Sequence, residues 1–491
     1  MKDSARRPPR AAAGSWRAAL WTGLYAGQWL AFTLASLMAV PVAVGQAIGL
    51  DPAGIAGFAR RTFLVAGAAS LLQLAWGHGF PLLEGPAGIW WATMIGLGQI
   101  FPALGHPLRE LRADLEGGVL AAGLLLLGLG ASGLFSRLLP LFTPAVTGSF
   151  LLLVSLQLAG PFLRGLLGLA PAGAPPGAPA GLFHPVAALA GLGTVALTVL
   201  VSLRARGSLR SLGVLAGVAG GWLFWLAAGR TGLLPAAALT PPPAPGSTAP
   251  GALLLPWGRP ALDAGVTLTS LLVGLFVTAN LVASLTGIGL VTGRAPTRPL
   301  ANRTVLWTGV GTLLGGLAGS MGTVPFTTSV GFVAVSGVTD RLPFALHAAA
   351  LLLLALLPGF GAALSALPAP VAYGALLAAN AQMVAAGVRE YARLALGARD
   401  GFVIGLSLIL GVGVTQIPAS YWRPLPPMAR FLVGNATVVG LAVALLLEHV
   451  LLPARTAAAR PEAGTGEPPA AGAGPGAAPE GDTAPGPPAG A

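Results

Sequence analysis

Long apolar stretches recur along the chain from residue 18 to residue 452, broken by Gly, Pro and Arg. A helix needs about 20 apolar residues to cross the ~30 Å hydrocarbon core of a bilayer. Hydrophobic residues make up 55% of the chain and charged residues only 9%, whereas soluble domains carry about 25% charged residues. These charges are too few to cover a water-facing surface, so we expect an all-α integral membrane protein surrounded by lipid.

We count about fourteen such segments, several of them shorter than a straight membrane-spanning helix requires. They are residues 18–40, 62–77, 86–105, 117–135, 144–160, 184–203, 211–229, 263–287, 304–320, 327–338, 343–358, 368–387, 400–416 and 430–452. The chain contains 72 Gly and 44 Pro residues. Membrane helices tolerate both types, because small residues let helices approach closely and neighbouring groups satisfy the freed backbone.

The basic residues predict how these segments are oriented. Five of them precede the first segment and are expected to hold the N-terminal tail, residues 1–17, in the cytoplasm without a signal peptide. These are Lys2, Arg6, Arg7, Arg10 and Arg17. With fourteen segments, 18 of the 27 Lys and Arg residues fall on the cytoplasmic side. We therefore interpret the net charge of +12 as a topology signal for the cell membrane, with both termini cytoplasmic, and not as a nucleic-acid surface.

Residue types that carry metal or thiol chemistry are scarce. The chain has no Cys, and its five His residues show no metal-ligand spacing. The densest charged cluster, Arg109 to Glu116, mixes both signs. A membrane-embedded transferase is an alternative that would need clustered acids or His residues, and this mixed cluster shows no metal spacing. We therefore predict no metal, no cofactor and no enzyme.

Two stretches of biased composition lie outside the apolar segments. Residues 454–491 are rich in Ala, Gly, Pro and Glu and are predicted to form a disordered cytoplasmic tail. Residues 241–262 contain a Pro-rich run and are predicted to form an extracytoplasmic loop. This loop divides the chain into two halves of seven segments each.

The two halves look related. Segment five begins Pro144-Ala-Val-Thr-Gly148, and segment twelve begins Pro370-Val-Ala-Tyr-Gly374. The third segment of each half opens with Gly, Pro and small residues, at Gly85–Gly88 and Gly322–Ser329. Repeats of seven segments enter the membrane from opposite sides, and Gly/Pro-interrupted segments at matching positions mark a transporter's binding site. The alternative is that these are ordinary Gly/Pro kinks.

A series of short motifs runs in order from Gly27 to Pro453. They are Gly27-Gln-Trp-Leu30 with Val40-Pro41, Asp51-Pro52 with Leu71-Leu-Gln73, Pro144-Ala-Val-Thr-Gly148, Pro256-Trp-Gly-Arg-Pro-Ala-Leu-Asp263, Gly322 to Arg341, and Pro368-Ala-Pro-Val371 with Ala386-Gly-Val388. In this order they resemble the motifs of the nucleobase–cation symporter family of xanthine, uracil and nucleobase–ascorbate permeases. Trp29 stands where that family has His.

The resemblance implies a 7+7 inverted repeat of about fourteen transmembrane segments. A core domain (residues 18–135 and 263–358) would move against a gate domain (residues 136–240 and 359–453) in an elevator-like motion, with homodimers forming through the gate. Segments three and ten would each be a short strand followed by a half-helix. A nucleobase would bind where they cross.

The resemblance also assigns candidate site residues. The family's substrate-binding Glu of segment eight falls on Asn280, and a later polar coupling residue falls on Ser284. Asn offers both a donor and an acceptor to a base edge, although buried Asn and Ser also join helices in membranes. In segment ten, Phe326, Thr327, Thr328 and Ser329 would present backbone N–H groups at a helix end. The simpler reading of that turn is a hydroxyl cap on its own helix.

Segment three and segment twelve complete the set. Ala87 and Gly88 match the junction that lies against the base, and Asn380 takes a position that often faces the pocket. Trp90 and Trp91 are predicted either to stack on a base or to anchor the protein at the interface. Glu84 is the one acid nearby, and we treat it as a replacement proton or cation site because acids within membranes are costly. The alternative is an interfacial residue that faces water or pairs with Arg.

These features favour a permease for xanthine, uracil or a related purine that works without covalent chemistry. Both carboxylates that the family uses in segments eight and ten are missing, so coupling to H⁺, coupling to Na⁺ and uncoupled transport stay open. The alternatives are a sulfate-permease-like anion transporter of the same architecture and a sensor relative that no longer transports.

Overall fold

The computed structural model describes residues 16–103, 105–169, 183–234, 253–294, 296–422, 424–425 and 427–453. The predicted tail at 454–491, nearly all of the N-terminal tail and the Pro-rich half of the 241–262 loop lie outside these residues. The described helices belong to one compact unit that ends at Leu452.

Within the described ranges the chain forms eighteen α-helices and one two-stranded sheet. The helices are α1 (Trp16–Leu37), α2 (Ala39–Ala47), α3 (Pro52–Ala75), α4 (Gly88–Ala103), α5 (Leu108–Ser132), α6 (Phe135–Leu138), α7 (Pro144–Leu166), α8 (Pro185–Arg204), α9 (Gly213–Arg230), α10 (Ala264–Thr292), α11 (Arg298–Leu317), α12 (Thr327–Ser336), α13 (Arg341–Leu356), α14 (Pro358–Ser365), α15 (Ala369–Tyr391), α16 (Ala398–Val414), α17 (Pro427–Gly434) and α18 (Ala436–Leu446). The strands are β1 (Glu84–Pro86) and β2 (Thr323–Pro325).

Seven helical stretches among the described residues are long and apolar enough to cross a membrane. They are Ala19–Ala47, Pro52–Ala75, Leu108–Ser132, Pro144–Leu166, Pro185–Arg204, Ala264–Thr292 and Ala369–Tyr391. An eighth candidate is the pair Arg341–Leu356 and Gly359–Ser365, which is bent by 85°. The prediction of a mainly helical chain with several membrane-spanning helices is confirmed.

Several predicted segment boundaries are wrong, and two of them have a clear physical reason. Helix α3 begins at Pro52, not at residue 62. Arg61, which directly precedes the predicted segment, is buried within α3, and its Nε donates to the carbonyl of Ala318 at 2.6 Å. The predicted segment 430–452 is also interrupted, because the Asn435 side chain accepts hydrogen bonds from the backbone of Thr437 and Val438 and starts α18 as a new helix.

The two strands cross as an antiparallel pair. Glu84 pairs with Pro325, Gly85 with Val324 and Pro86 with Thr323, and all six residues are buried. Each strand ends in Pro, which has no N–H to extend a sheet, and each leads into a helix, α4 or α12. The short strand and following helix expected in segments three and ten are therefore present.

The helices pack in two groups around this crossing. Helices α3, α5, α10, α11 and α13 pack on one another, and α3 and α11 also contact the strands. Helices α7, α8, α15, α16 and α18 form the other group. Small residues allow the closest approaches. A side chain at Gly130 of α5 would meet the backbone of Leu306 in α11, and one at Gly148 of α7 would meet Tyr391 and Gly387 of α15.

Candidate functional site

The beginnings of α4 and α12 meet at the strand crossing. The first N–H groups of a helix have no partner within that helix and carry its positive dipole end. Phe326 precedes α12 and its side chain makes no capping bond. The N–H groups of Thr327 and Thr328 therefore have no acceptor among the described residues, whereas the N–H of Ser329 bonds the carbonyl of Phe326 at 3.0 Å.

A chain of side-chain hydrogen bonds links α10 to the start of α12. The Thr327 hydroxyl donates to Asn280 Oδ1 at 2.6 Å. Ser284 Oγ donates to the Pro325 carbonyl at 2.9 Å and lies 3.0 Å from Thr327 Oγ1. Since the amide oxygen of Asn280 is occupied, its NH₂ group is left to donate, and it has no acceptor among the described residues. Asn280 is half-buried, and Thr327 and Thr328 are exposed.

We call the space beside Asn280, Thr327 and Thr328, between the starts of α4 and α12, the cleft. Small residues and one aromatic ring line it. A side chain at Gly85 would lie 3.1 Å from the Phe326 ring, so the ring packs closely against the strand at this glycine. Ala87 is buried and Gly88 half-buried, and a side chain at Gly88 would meet the end of Met383 from α15. The cleft is therefore bounded by both helix groups.

Ser329 ties the two junctions together. It is fully buried, and its Oγ accepts a hydrogen bond from Leu83 N–H at 3.2 Å. The Leu83 carbonyl in turn accepts from Phe326 N–H at 2.8 Å. Ser329 therefore holds the start of α12 against β1, and its hydroxyl does not point into the cleft as a free group.

Behind the strands, Glu84 is fully buried. Its backbone N–H donates to Ser70 Oγ at 3.0 Å, and its Oε1 lies 3.3 Å from His78 Nε2. Glu84 Oε2 has no hydrogen-bond partner among the described residues. Among all the residues that the structure describes, no group of three or more His, Asp or Glu residues is arranged to hold a metal ion.

The xanthine/uracil permease model, described as Permease family, matches residues 22–420 of this chain. The chain belongs to this permease family. Its relatives include YwdJ of Bacillus subtilis, 28% identical over 87% of this chain and 94% of the relative. The uric acid permease PucK of Bacillus subtilis is 26% identical over 84% and 91% of the two chains, and the xanthine permease of that organism is 23% identical over 85% and 90%.

The fold of this permease is similar to that of the transmembrane domain of a cyanobacterial bicarbonate transporter, BicA. The TM-score is 0.55 over 85% of the permease and 97% of BicA. The sequences are only 17% identical, so the likeness concerns the fold alone.

The structure brings most of the permease's predicted site residues to one crossing. Asn280, Ser284, Phe326 and Thr327 share contacts there, and Ala87 and Gly88 begin the facing helix. Asn380 takes no part in the hydrogen bonds at the strand crossing. Its Nδ2 donates to the Ser155 carbonyl of α7 at 3.0 Å, which joins α15 to α7.

Three tryptophan side chains that the sequence singled out are buried. Trp90 and Trp91 are buried, and Trp91 stacks on Phe162 of α7 with ring centres 5.5 Å apart. Neither lies at the protein surface, where an interfacial anchor belongs. Trp29, at the family's His position, packs on Phe332 and Phe344 with ring centres 4.5 and 4.9 Å away.

His78 is the residue that sequence reasoning missed. It lies six positions before Glu84 on an irregular stretch, and no helical or strand period connects the two. The one available signal was a polar ring between two glycines, Gly77 and Gly79, beside an apolar segment.

Proposed function

We propose that this permease transports a planar nucleobase that carries ring carbonyl groups, such as xanthine or uric acid. The observation that carries this proposal is the Asn280 amide, oriented by the Thr327 hydroxyl beside the open N–H groups of Thr327 and Thr328. The Asn280 NH₂ group and the two backbone N–H groups are free to donate to a bound base, whereas the Thr327 hydroxyl proton is used to orient Asn280. Carbonyl oxygens and unprotonated ring nitrogens of an oxopurine accept such hydrogen bonds.

Discrimination follows from the same arrangement. A site built from oriented donors rejects analogues that lack the matching acceptors, because buried donors are then left without partners. The substrates named for PucK and the xanthine permease are both oxopurines, which supports this choice over a base with fewer carbonyl groups. A uracil-type pyrimidine is the smaller alternative within the same class.

We propose the elevator architecture for the moving parts. The group containing α3, α5, α10, α11 and α13 would be the core domain (residues 18–135 and 263–358). The group containing α7, α8, α15, α16 and α18 would be the gate (residues 136–240 and 359–453). The separate packing of the two groups supports this division. We further propose about fourteen transmembrane segments in a 7+7 inverted repeat, cytoplasmic termini and a homodimer formed through the gate.

A second candidate is an anion transporter. Unpaired helix N-termini attract anions, and the fold is shared with a bicarbonate transporter. Against this candidate, none of the residues from Phe326 to Ser329, nor Asn280 or Ser284, carries a positive charge. A small inorganic anion such as sulfate or bicarbonate would find no side chain here to neutralise it, and it lacks the planar ring and the ring carbonyl groups of an oxopurine.

Uptake into proteoliposomes separates these candidates. We expect labelled xanthine or uric acid to enter, and sulfate and bicarbonate not to enter. Asn280→Ala should weaken binding of the base by about 10- to 100-fold, as expected when one or two hydrogen bonds worth roughly 1 to 3 kcal/mol are lost. Asn302→Ala on α11 is the matched control, because the side-chain oxygen of Asn302 bonds nothing among the described residues. Transport of sulfate or bicarbonate without any base would refute the proposal.

A further inference from the structure

The back of the strand pair is polar, although it is sealed from water. Residues that pair across antiparallel strands point to the same face, so Glu84, Pro86, Thr323 and Pro325 share one face. That face is covered by α3 and α11. Fully buried polar residues from both helices lie there or along its extension, namely Ser70, Gln73, Thr304, Thr308 and Thr312.

Hydrogen bonds connect several of these buried polar residues. Gln73 Nε2 donates to the Thr304 carbonyl and to Thr308 Oγ1, each at 3.0 Å, and Gln73 Oε1 accepts from His78 N–H at 3.3 Å. Thr312 Oγ1 and Thr323 Oγ1 have no partners among the described residues, as is the case for Glu84 Oε2. The region therefore has spare hydrogen-bonding capacity around one carboxyl group.

The geometry fixes the protonation state of His78. The backbone N–H of Phe80 donates to His78 Nδ1 at 3.0 Å, so Nδ1 carries no proton. The ring proton then sits on Nε2 and points at Glu84 Oε1, 3.3 Å away. His78 is a neutral donor to Glu84 and not a cation paired with it.

Glu84 has no cation of its own. Among the described residues, its one ion-pair partner by distance is His78, which is neutral in this geometry. Strand β2 and the neighbouring part of α3 carry no acid or base. Arg341 of α13 and Arg303 of α11 are the positive charges that act electrostatically on His78. Arg341 donates to the Leu74 carbonyl at the end of α3. An ionised Glu84 here would be a charge in a sealed interior with one neutral hydrogen bond, which is costly.

We propose that Glu84 is the proton-binding group that couples this permease to a proton gradient, with His78 as its positioning residue. This inference rests on the proposed transport of a nucleobase. One proton binds the carboxylate and gives a neutral carboxylic acid, and its release restores the charge. A metal cation suits the place less well, because the Nε2–H of His78 points at the oxygen that would have to bind it.

Protonation of Glu84 acts directly on the cleft. Its neighbour Leu83 holds Ser329 and Phe326 through its N–H and its carbonyl, and Glu84 itself is held to α3 through Ser70. A charge appearing on Glu84 must draw in water or move β1, and either change displaces the start of α12. A neutral Glu84 lets the loaded strand pair cross the membrane interior, so base and proton cross together.

The test uses Glu84→Gln, which keeps the shape and cannot ionise. In proteoliposomes with an inward proton gradient, we expect the parent to accumulate base and a protonophore to abolish the accumulation. E84Q should retain base exchange within a few-fold but lose accumulation and its dependence on pH. Glu116→Gln is the matched control, because Glu116 is a second buried carboxyl, on α5, which lies beside Gly319 and is not one of the paired residues of β1 and β2. Accumulation by E84Q that still collapses with protonophore would overturn the proposal.

An infrared measurement separates this inference from the proposed function, because it needs no substrate. The parent should show the carbonyl stretch of a buried protonated carboxyl that E84Q lacks and E116Q keeps. If no base moves but this band is present, the proposed function fails and the proton site stands. If base moves and E84Q leaves the spectrum unchanged, the proton site fails alone.

Should E84Q fail to insert, His78→Phe gives a second test. Without its donor the charged carboxylate is less favourable, so the midpoint of the pH profile should move to higher pH by about one unit, and His78→Gln, which restores a donor, should reverse the shift. An unchanged midpoint in His78→Phe would overturn the proposal.

Discussion

The two strand-to-helix junctions have similar backbones and different chemistry. At β1–α4 the cleft side is lined by Ala87 and Gly88, and the one functional side chain, Glu84, points backwards into a sealed interior. At β2–α12 the cleft side carries the hydroxyls of Thr327 and Thr328, and the backward-facing Thr323 has no charge. This difference is the basis of our proposal that the second junction binds the substrate and the first binds the proton.

The largest effect is expected where the two junctions touch. A side chain at Gly322, just before β2, would collide with the indole nitrogen of Trp90 on α4. The rigid ring cannot yield, so Gly322→Ala should cost about 1 to 3 kcal/mol of stability and lower transport strongly. Gly331→Ala on α12 meets nothing within 4 Å and should be neutral or slightly stabilising. Thermal unfolding in detergent measures both, and equal melting temperatures would contradict the predicted contact.

The next effect concerns the substrate side of the comparison. Thr327→Val removes the donor that orients Asn280, so base affinity should fall by about 5- to 10-fold, the equivalent of one hydrogen bond. Thr328→Val is the neighbouring control, since its hydroxyl has no side-chain partner among the described residues, and it should change affinity less. Binding measured by calorimetry with Asn280→Ala, Thr327→Val and the double variant should be non-additive, because the two residues act as one unit. If the two affinity losses add up in the double variant, Thr327 does not act through Asn280 and the prediction is wrong.

A smaller effect is expected at the link between the junctions. Ser329→Ala leaves the Leu83 N–H buried without an acceptor, which should cost roughly 1 to 2 kcal/mol. If protonation of Glu84 reaches the cleft through this link, the variant should also weaken the pH dependence of base affinity. A variant that loses stability and keeps the full pH dependence would show that the coupling takes another route.

The smallest effect is expected at Thr312 behind the strands. Its hydroxyl is buried and unpartnered, so Thr312→Val should change stability by about 0.5 kcal/mol or less, with either sign. A loss of several times that amount, measured by thermal unfolding, would indicate an ordered water at this hydroxyl and would strengthen the link between α11 and the Glu84 face.

Local sequence signals predicted the junctions well. Gly and Pro residues at 85–88 and 322–325 interrupt apolar segments. Because these residues disrupt a continuous helix, a break was predicted at each place, and the structure has a strand-to-helix junction there. The hydrogen-bond partners of the polar side chains were harder to predict from the sequence. Asn380 was a plausible pocket residue by position, yet it bonds Ser155, 225 residues away along the chain, and no local pattern encodes such a contact.

Charged residues were the weakest point of sequence reasoning. Arg61 directly precedes a segment that was predicted to begin at residue 62, but it lies within α3, where a carbonyl from a helix end 257 residues away accepts its hydrogen bond. Glu84 was correctly singled out as an unusual acid, whereas its partner His78 was missed because an irregular stretch of chain brings the two together.

The sequence by itself determined that this chain is a helical membrane permease and where its two broken segments lie, because apolar length and Gly/Pro interruptions act locally along the chain. Only the tertiary structure decided which polar groups face the cleft, which bridge helices and which acid is sealed behind the strands. In a membrane interior each polar group must find a partner, and those partners come from segments far apart in the chain.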